Sequence, residues 1–201
     1  MYRLYDFLPS GNSYKVRLLL NQLEIPFEKV EVNVLTRETR TPEFLVKNPN
    51  GRIPVLEIGA GKFLAESNAI LFYLSEGTDY LPEDSWEKAQ VMQWLFFEQF
   101  SHEPNIATSR FWISILKKAE EYKDALQQKQ KLGYAALEVM EKHLSNLDFF
   151  VADRYTIADI SLYAYTHVAH EGGFDLTRFP AILAWLERVK TQPRHISIAN
   201  T

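Results

Sequence analysis

Two short polar clusters hold the residues of this chain best suited to chemistry. The first is Ser10-Gly11-Asn12-Ser13, between a strand-like run from Tyr2 to Phe7 and a helix-like run with Val16, Leu19, Leu20 and Leu23 on one face. A hydroxyl or carboxamide ahead of a helix can donate a hydrogen bond to an anion there, where the helix dipole also favours negative charge. The same residue types suit turns and caps, and Ser13 stands where the N-cap of this helix belongs. The second cluster, Glu66-Ser67, opens a helix with Ile70, Leu71 and Leu74 apolar. A helix start with a carboxylate beside it can hold a group carrying both charges, or be a plain cap with a solvated Glu. Arg40 and Arg52 lie in loops between the clusters; each can pair with a carboxylate or remain a solvated charge.

Other chemistries are excluded by composition. With no cysteine, the chain has no disulfide, no thiolate metal site and no cysteine nucleophile. His167 and His170 have a spacing that can serve a metal, but no third ligand accompanies them and they read as ordinary histidines. A net charge of −4 with pI near 5.8 argues against a nucleic-acid binder, which would normally show a basic stripe, and gives no electrostatic reason to sit on an anionic membrane. No basic segment followed by a long apolar run opens the chain, and no stretch has the apolar length of a membrane span, so a cytoplasmic location is expected.

The elements that must position the clusters follow from periodicity. Phe27 to Val34 reads as a second strand, and Thr41-Pro42-Glu43 as a capped helix start with proline at the first position. Asn48-Pro49-Asn50-Gly51 is a loop leading through Arg52-Ile53-Pro54 into the strand Val55 to Ile58. Gly59-Ala60-Gly61 reads as a hairpin turn and Lys62 to Ala65 as the returning strand. The order βαβαββα allows one parallel pair through a right-handed crossover, with an antiparallel hairpin added. Residues 77–85, with Gly, Pro and acidic residues but no periodicity, read as a linker. From 86 to 201 helical periodicity takes over, with Leu137, Met140, Leu144 and Leu147 on one face and Ile182, Trp185, Leu186 and Val189 on another. Thr156-Ile157-Ala158-Asp159 is a capping-box variant flanked by Tyr155 and Ile160 at staple positions. It should start the buried central helix.

Ile53-Pro54 before a strand, Glu66-Ser67 opening a helix, a linker, and then the Thr156-x-x-Asp159 cap together resemble the glutathione transferase superfamily, in its serine-type, bacterial-like form. The resemblance implies an α/β plus all-α protein. A thioredoxin-like domain over residues 1–76 would precede a helical domain over 86–201, with a cis bond before Pro54 and a homodimer. It implies glutathione as co-substrate and no metal. Ser10, with Asn12 as alternative or co-donor, would stabilise the thiolate. The backbone of Ile53 before Pro54 would hold the cysteinyl moiety, Glu66 and Ser67 the γ-glutamyl group, and Arg52, or less directly Arg40, the glycyl carboxylate. Phe97, Phe100, Ser101, Pro104, Ile106, Arg110, Phe111 and Trp112 would supply the wall for an apolar electrophile. Pro104 would kink its helix, Arg110 would favour anionic substrates, and Glu98 would reach across the dimer. Tyr14 falls inside the helix start and Tyr5 within a strand, so neither stands where tyrosine-type enzymes of the superfamily place their hydroxyl.

The energetics need little machinery. A thiol of pKa about 8.5 must fall by about two units to ionise at neutral pH, which is about 2.7 kcal/mol. One hydrogen bond to a charge supplies about 1.5–3 kcal/mol, and a helix end about 0.3–1 kcal/mol. The chemistry so implied is thiolate addition to an electrophile. Glutathione-dependent disulfide or peroxide reduction fits the same site, and a non-catalytic binding module is the reading from another class.

Overall fold

The computed structural model describes residues 1–59 and 61–199. Its elements are β1 (Tyr2–Asp6), α1 (Gly11–Gln22), β2 (Phe27–Glu31), α2 (Pro42–Leu45), β3 (Val55–Gly59), β4 (Lys62–Ala65) and α3 (Ser67–Ser75). They are followed by α4 (Ser85–Phe97), α5 (Glu103–Arg110), α6 (Lys123–Leu144), α7 (Ile157–Thr166) and α8 (Pro180–Lys190). The chain divides into two compact units: Met1–Glu76 with a second segment beginning at Pro193, and Gly77–Gln192. The tail after Gln192, which periodicity had grouped with the helices, thus belongs to the first unit.

The first unit is a thioredoxin-like domain. Its mixed sheet has the order β2-β1-β3-β4, with β1 and β2 parallel through α1 and the other pairs antiparallel. Strand alternation sorts its residues to two faces. Tyr5 and Val55 pack with Phe44 of α2 and with Val32 on one face. Leu4 and Leu56, paired across β1 and β3, are buried with the opposite parity, together with Leu18 to Leu20 of α1 and Ile70 and Leu71 of α3. The Thr41 cap of α2, with proline in the first turn, forms as the sequence predicts. Ala60 of the expected hairpin turn lies outside the described residues.

The second unit is helical. α7 is buried along its whole length, because the Thr156–Asp159 capping box closes its start and both faces are apolar or small. α4 and α8 pack against it, with Val91, Trp94 and Leu95 of α4 and Ile182, Trp185 and Val189 of α8 buried, while Leu137, Met140 and Leu144 of α6 are buried in the same unit, α6 packing on α5 and α8. Leu147, expected on the α6 face, lies beyond the helix end at Leu144 and is exposed. Between α4 and α5 the chain makes a π-helical turn, Glu98–His102, immediately ahead of Pro104 in the first turn of α5. The interruption expected at proline takes this form, since Pro104 cannot donate back to the preceding turn and the widened turn absorbs the missing bond. Among the described residues no helix is long and apolar enough to cross a membrane.

Candidate functional site

Sheet register brings the sequence clusters of the first unit to one end of the sheet. Tyr5 of β1 pairs with Val55 of β3, and Val55 pairs with Ala65 of β4. The loop to Ser10 leaves β1 one residue after that row, at Asp6, while Ile53-Pro54 ends immediately before it and Glu66-Ser67 begins immediately after it. Segments more than fifty residues apart in sequence therefore converge because antiparallel pairing fixes which strand ends coincide.

Ser10 is the N-cap of α1, with extended backbone, and its Oγ accepts the Ser13 backbone N–H at 3.3 Å. Its own N–H donates to the Phe7 carbonyl at 2.8 Å, closing the turn. Ser13, expected as the cap, is instead three residues inside it and buried. Capping and chemistry do not compete here. A hydroxyl that accepts the cap bond retains its one proton for donation.

Asn12, half-buried, accepts at Oδ1 from the Lys15 ammonium at 2.8 Å and from the Ser67 hydroxyl at 3.3 Å. Lys15 Nζ also lies 3.3 Å from Ser67 Oγ, so three side chains tie the N-terminus of α1 to that of α3. Lys15 is fully buried. The sequence reading missed it, although Asn12 and Lys15, three apart on a helix, share a face.

Glu66 stands at the N-cap of α3 with φ 68°, ψ 113°, and its side chain makes no cap hydrogen bond. Non-glycine residues avoid this region. The consequence is a helix N-terminus left without a side-chain cap, with an exposed carboxylate beside it and buried Ser67 as its first residue. That arrangement suits a zwitterionic amino-acid head group: carboxylate on the helix end, ammonium on Glu66. The Ile53-Pro54 bond is cis, and Ile53 is half-buried beside the Tyr5 cluster.

The arginines serve the loop before β3. Arg40 donates to the Asn50 carbonyl at 2.9 Å, and the Arg52 carbonyl accepts from Asn48 at 2.8 Å. Gly51, at φ +60°, sits where any Cβ would lie 2.6 Å from Arg40 Nη1 and 2.8 Å from the Thr39 carbonyl. Arg40 is thus committed to holding the loop. The Arg52 side chain is exposed. Neither tyrosine reaches the cluster. Tyr5 donates to Glu57 at 3.1 Å and packs on Phe44 and Phe63, and burial and the Glu57 hydrogen bond raise its phenol pKa. Tyr14 donates to the Ile196 carbonyl of the tail at 2.7 Å.

In the helical unit the expected pocket residues separate. Ile106 is fully buried in the core, which removes it from any open wall. Arg110 is buried too, but Glu171 meets its guanidinium at 2.8 Å, so its charge is already balanced within the chain. Glu98, expected to reach a partner subunit, is fully buried and accepts from Gln99 at 2.8 Å. Phe97 packs edge-on to Trp94 and Trp112 stacks on Tyr122. Ser101 and Phe111 are half-buried and Phe100 is 90% exposed. His167 donates from Nδ1 to the Tyr163 carbonyl at 2.8 Å and stacks on that ring, while His170 lies in the next, 3-10 turn.

Comparison with known proteins agrees with this architecture. Residues 1–76 match the glutathione S-transferase N-terminal domain, and residues 91–193 the C-terminal domain of the same family. The chain is 33% identical to the glutathione S-transferase-like protein LUC7 of a Fusarium species, over 94% of this chain and 89% of that one. It is 29% identical to the disulfide-bond oxidoreductase YfcG of Escherichia coli, over 93% and 89%. Among solved structures, a possible glutathione S-transferase from Rhodopseudomonas palustris shares 50% identity at TM-score 0.98, covering 100% of this chain and 91% of that one. A family member from Pseudomonas fluorescens, solved with two glutathione molecules bound, shares 28% identity at TM-score 0.84, covering 96% and 89%. With both domains matched in order over most of its length, this chain belongs to the glutathione S-transferase superfamily.

Proposed function

We propose that this protein binds glutathione at the N-termini of α1 and α3 and activates its thiolate for attack on an apolar electrophile. The observation that carries the reading is the convergence of Ser10, Ile53-Pro54 and Glu66-Ser67 at one end of the sheet, through the Tyr5–Val55–Ala65 row. The γ-glutamyl group lies on Glu66 and Ser67, the cysteinyl backbone on Ile53, and the glycyl carboxylate near Arg52. Ser10 donates its proton to the sulfur and Asn12 adds a second donor. The thiol proton passes to solvent, and the thiolate forms the new C–S bond as the electrophile either expels its leaving group with the bonding pair or, in an addition, has its π pair displaced and protonated from solvent. The protein acts as a homodimer, supported by exposed Phe96 and Phe100 one helical turn apart.

The test is the pKa of bound glutathione, read by ultraviolet thiolate absorbance across pH. Wild type should lie well below about 8.5, and Ser10→Ala should return it by about one to two units, with kcat/KM at neutral pH falling about 10- to 100-fold. An unshifted thiol in the wild type removes the reading. Glutathione affinity without turnover leaves a binding module.

A second reading, glutathione-dependent disulfide reduction at the same site, is favoured by the YfcG relative and the structure holding two glutathiones. Because the chain has no cysteine, two glutathione thiols would supply both electrons and leave as glutathione disulfide. Turnover of a small disulfide against that of an aromatic electrophile separates the two.

A further inference from the structure

The turn that delivers Ser10 is held from outside its own sequence. The Ser10 N–H closes it on the Phe7 carbonyl at 2.8 Å, so Leu8 and Pro9 occupy its two middle positions. Proline suits the third position of such a turn poorly, because it pushes the residue before it away from helical geometry. Distant side chains take both polar groups of the Leu8 backbone instead. Its N–H donates to Glu31 at 3.1 Å, and its carbonyl accepts from Arg17 Nη2 at 2.9 Å. Arg17 is buried, and the same nitrogen donates to the Ile198 carbonyl of the tail at 3.0 Å. Tyr14, Arg17 and Asn21 stand on one side of α1, and the carbonyls of Ile196, Ile198 and Arg194 accept from them in that order.

We propose that Arg17 is a positioning residue for Ser10 and that the C-terminal tail sets Arg17. This deepens the proposed glutathione reading and rests on Ser10 as the thiolate donor. A guanidinium is a planar fork whose donors point in fixed directions. Nη1 is committed to Asp6 at the end of β1, and Nη2 to the Leu8 and Ile198 carbonyls. Filling both directions of Nη2 fixes the plane of the fork, and with it the Leu8 carbonyl that leads through Pro9 to Ser10. When the tail is gone, a buried donor is left to satisfy, and the guanidinium turns or draws in water at the expense of Leu8. The cap bond is a weak second hold on Ser10, since its Oγ accepts from Ser13 at 3.3 Å. A donor misplaced by about 1 Å loses much of its effect on the sulfur, while the groups at the N-terminus of α3 that hold the γ-glutamyl end stay where they are.

The experiment measures the thiol pKa of bound glutathione, and the Kd of S-methylglutathione, which has no thiol to ionise. Wild type is compared with a chain ending at Gln192, with Arg17→Lys, with Ser10→Ala and with Ser10→Ala/Arg17→Lys. Arg17→Lys keeps a charge against Asp6 and gives up the fork. The shortened chain and Arg17→Lys should each raise the bound thiol pKa by about 0.5–1 unit, a loss of thiolate of about three- to tenfold at fixed pH. The Kd of S-methylglutathione should change by less than about twofold, because the groups that hold it are elsewhere. In the Ser10→Ala background, Arg17→Lys should add less than about 0.3 unit, because its effect passes through that hydroxyl. If the shortened chain does not fold, Asn21→Ala/Arg194→Ala, which loosens the tail in the full chain, is held to the same criterion. A wild-type thiol without a lowered pKa, or one that Ser10→Ala leaves lowered, overturns the underlying site reading and this inference with it. A Ser10-dependent pKa left unmoved by Arg17→Lys or by loss of the tail overturns the inference alone, as does an equal loss of S-methylglutathione affinity.

Discussion

At the scale of single residues, the least expected feature is Glu66, a non-glycine residue held at φ 68°. Such a conformation costs about 1–3 kcal/mol and persists where function requires it. Glu66→Gly should therefore raise stability to urea by about 1 kcal/mol while weakening glutathione binding about tenfold by calorimetry. Glu66→Gln should weaken binding without the stability gain. Undiminished binding by Glu66→Gly would show that the carboxylate has no ligand to hold.

Asp159 is the second residue whose chemistry is decided by burial. Its carboxylate accepts from the Thr156 backbone and hydroxyl, from the Phe150 backbone and from Trp185 Nε1 at 2.9 Å. Burial nevertheless outweighs these four bonds and pushes its pKa up from 3.8 to about 6. The folded state thus holds the proton more tightly than the unfolded one. The resulting stabilisation is full below about 3.8 and lost as pH rises through about 6. Asparagine, which does not titrate here and turns an N–H toward another donor, should destabilise by a margin about 2 kcal/mol larger at pH 4.5 than at pH 7.5. Urea unfolding at the two pH values measures it; an equal or smaller cost at pH 4.5 contradicts the sign.

At the scale of elements, α1 is unusual in being buried nearly all round although it carries Lys15, Arg17 and Gln22. The returning tail bonds Tyr14, Arg17 and Asn21, while Lys15 is held by Asn12 and Ser67 on the side of α3. Arg17 meets Asp6 at 2.5 Å and donates to the Leu8 carbonyl at 2.9 Å and the Ile198 carbonyl at 3.0 Å. Asn21 donates to the Arg194 carbonyl at 2.6 Å, and the Arg194 side chain pairs with Glu24 at 2.8 Å. The Arg17 guanidinium therefore joins the strand end, the loop to Ser10 and the tail. Arg17→Met would strand the buried Asp6 carboxylate and should cost about 3–5 kcal/mol, seen as a fall in urea midpoint. Adding Asp6→Leu should recover much of that loss, because replacing both charges removes the unpaired one. No recovery in the double variant would mean that packing, and not charge, is what Arg17 supplies.

At the scale of the whole molecule, the exposed aromatic pair Phe96 (65%) and Phe100 (90%) marks the surface that self-association would cover. They are four residues apart, so they stand on one side of the helix. Large apolar side chains in adjacent exposed positions signal an interface more often than isolated ones do. For the proposed homodimer, Phe100→Glu should yield monomers in sedimentation velocity with the helical content unchanged by circular dichroism. A dimer that survives the charge places its interface elsewhere.

What the sequence determined by itself is local. Strand and helix order in the first domain, the Thr41 and Thr156 caps and the central position of α7 all depend on residues within a few positions of one another, and periodicity exposes such information. The Ser10 and Glu66-Ser67 clusters were legible because polar residues at helix starts have few uses, though only family resemblance gave them a ligand. Tertiary structure alone decided what depends on partners distant in sequence. It moved the α1 cap from Ser13 to Ser10, joined the tail to the first unit, and buried Lys15 and Arg17 in a helix whose pattern left those positions to solvent. It gave Arg40 to a loop carbonyl, Arg110 to Glu171 and Ile106 to the core. In each case the side chain's own chemistry was plain from the sequence. Its electrostatic or packing partner lay dozens of residues away or more, or in a loop without periodicity, and only the folded chain brings such pairs within reach.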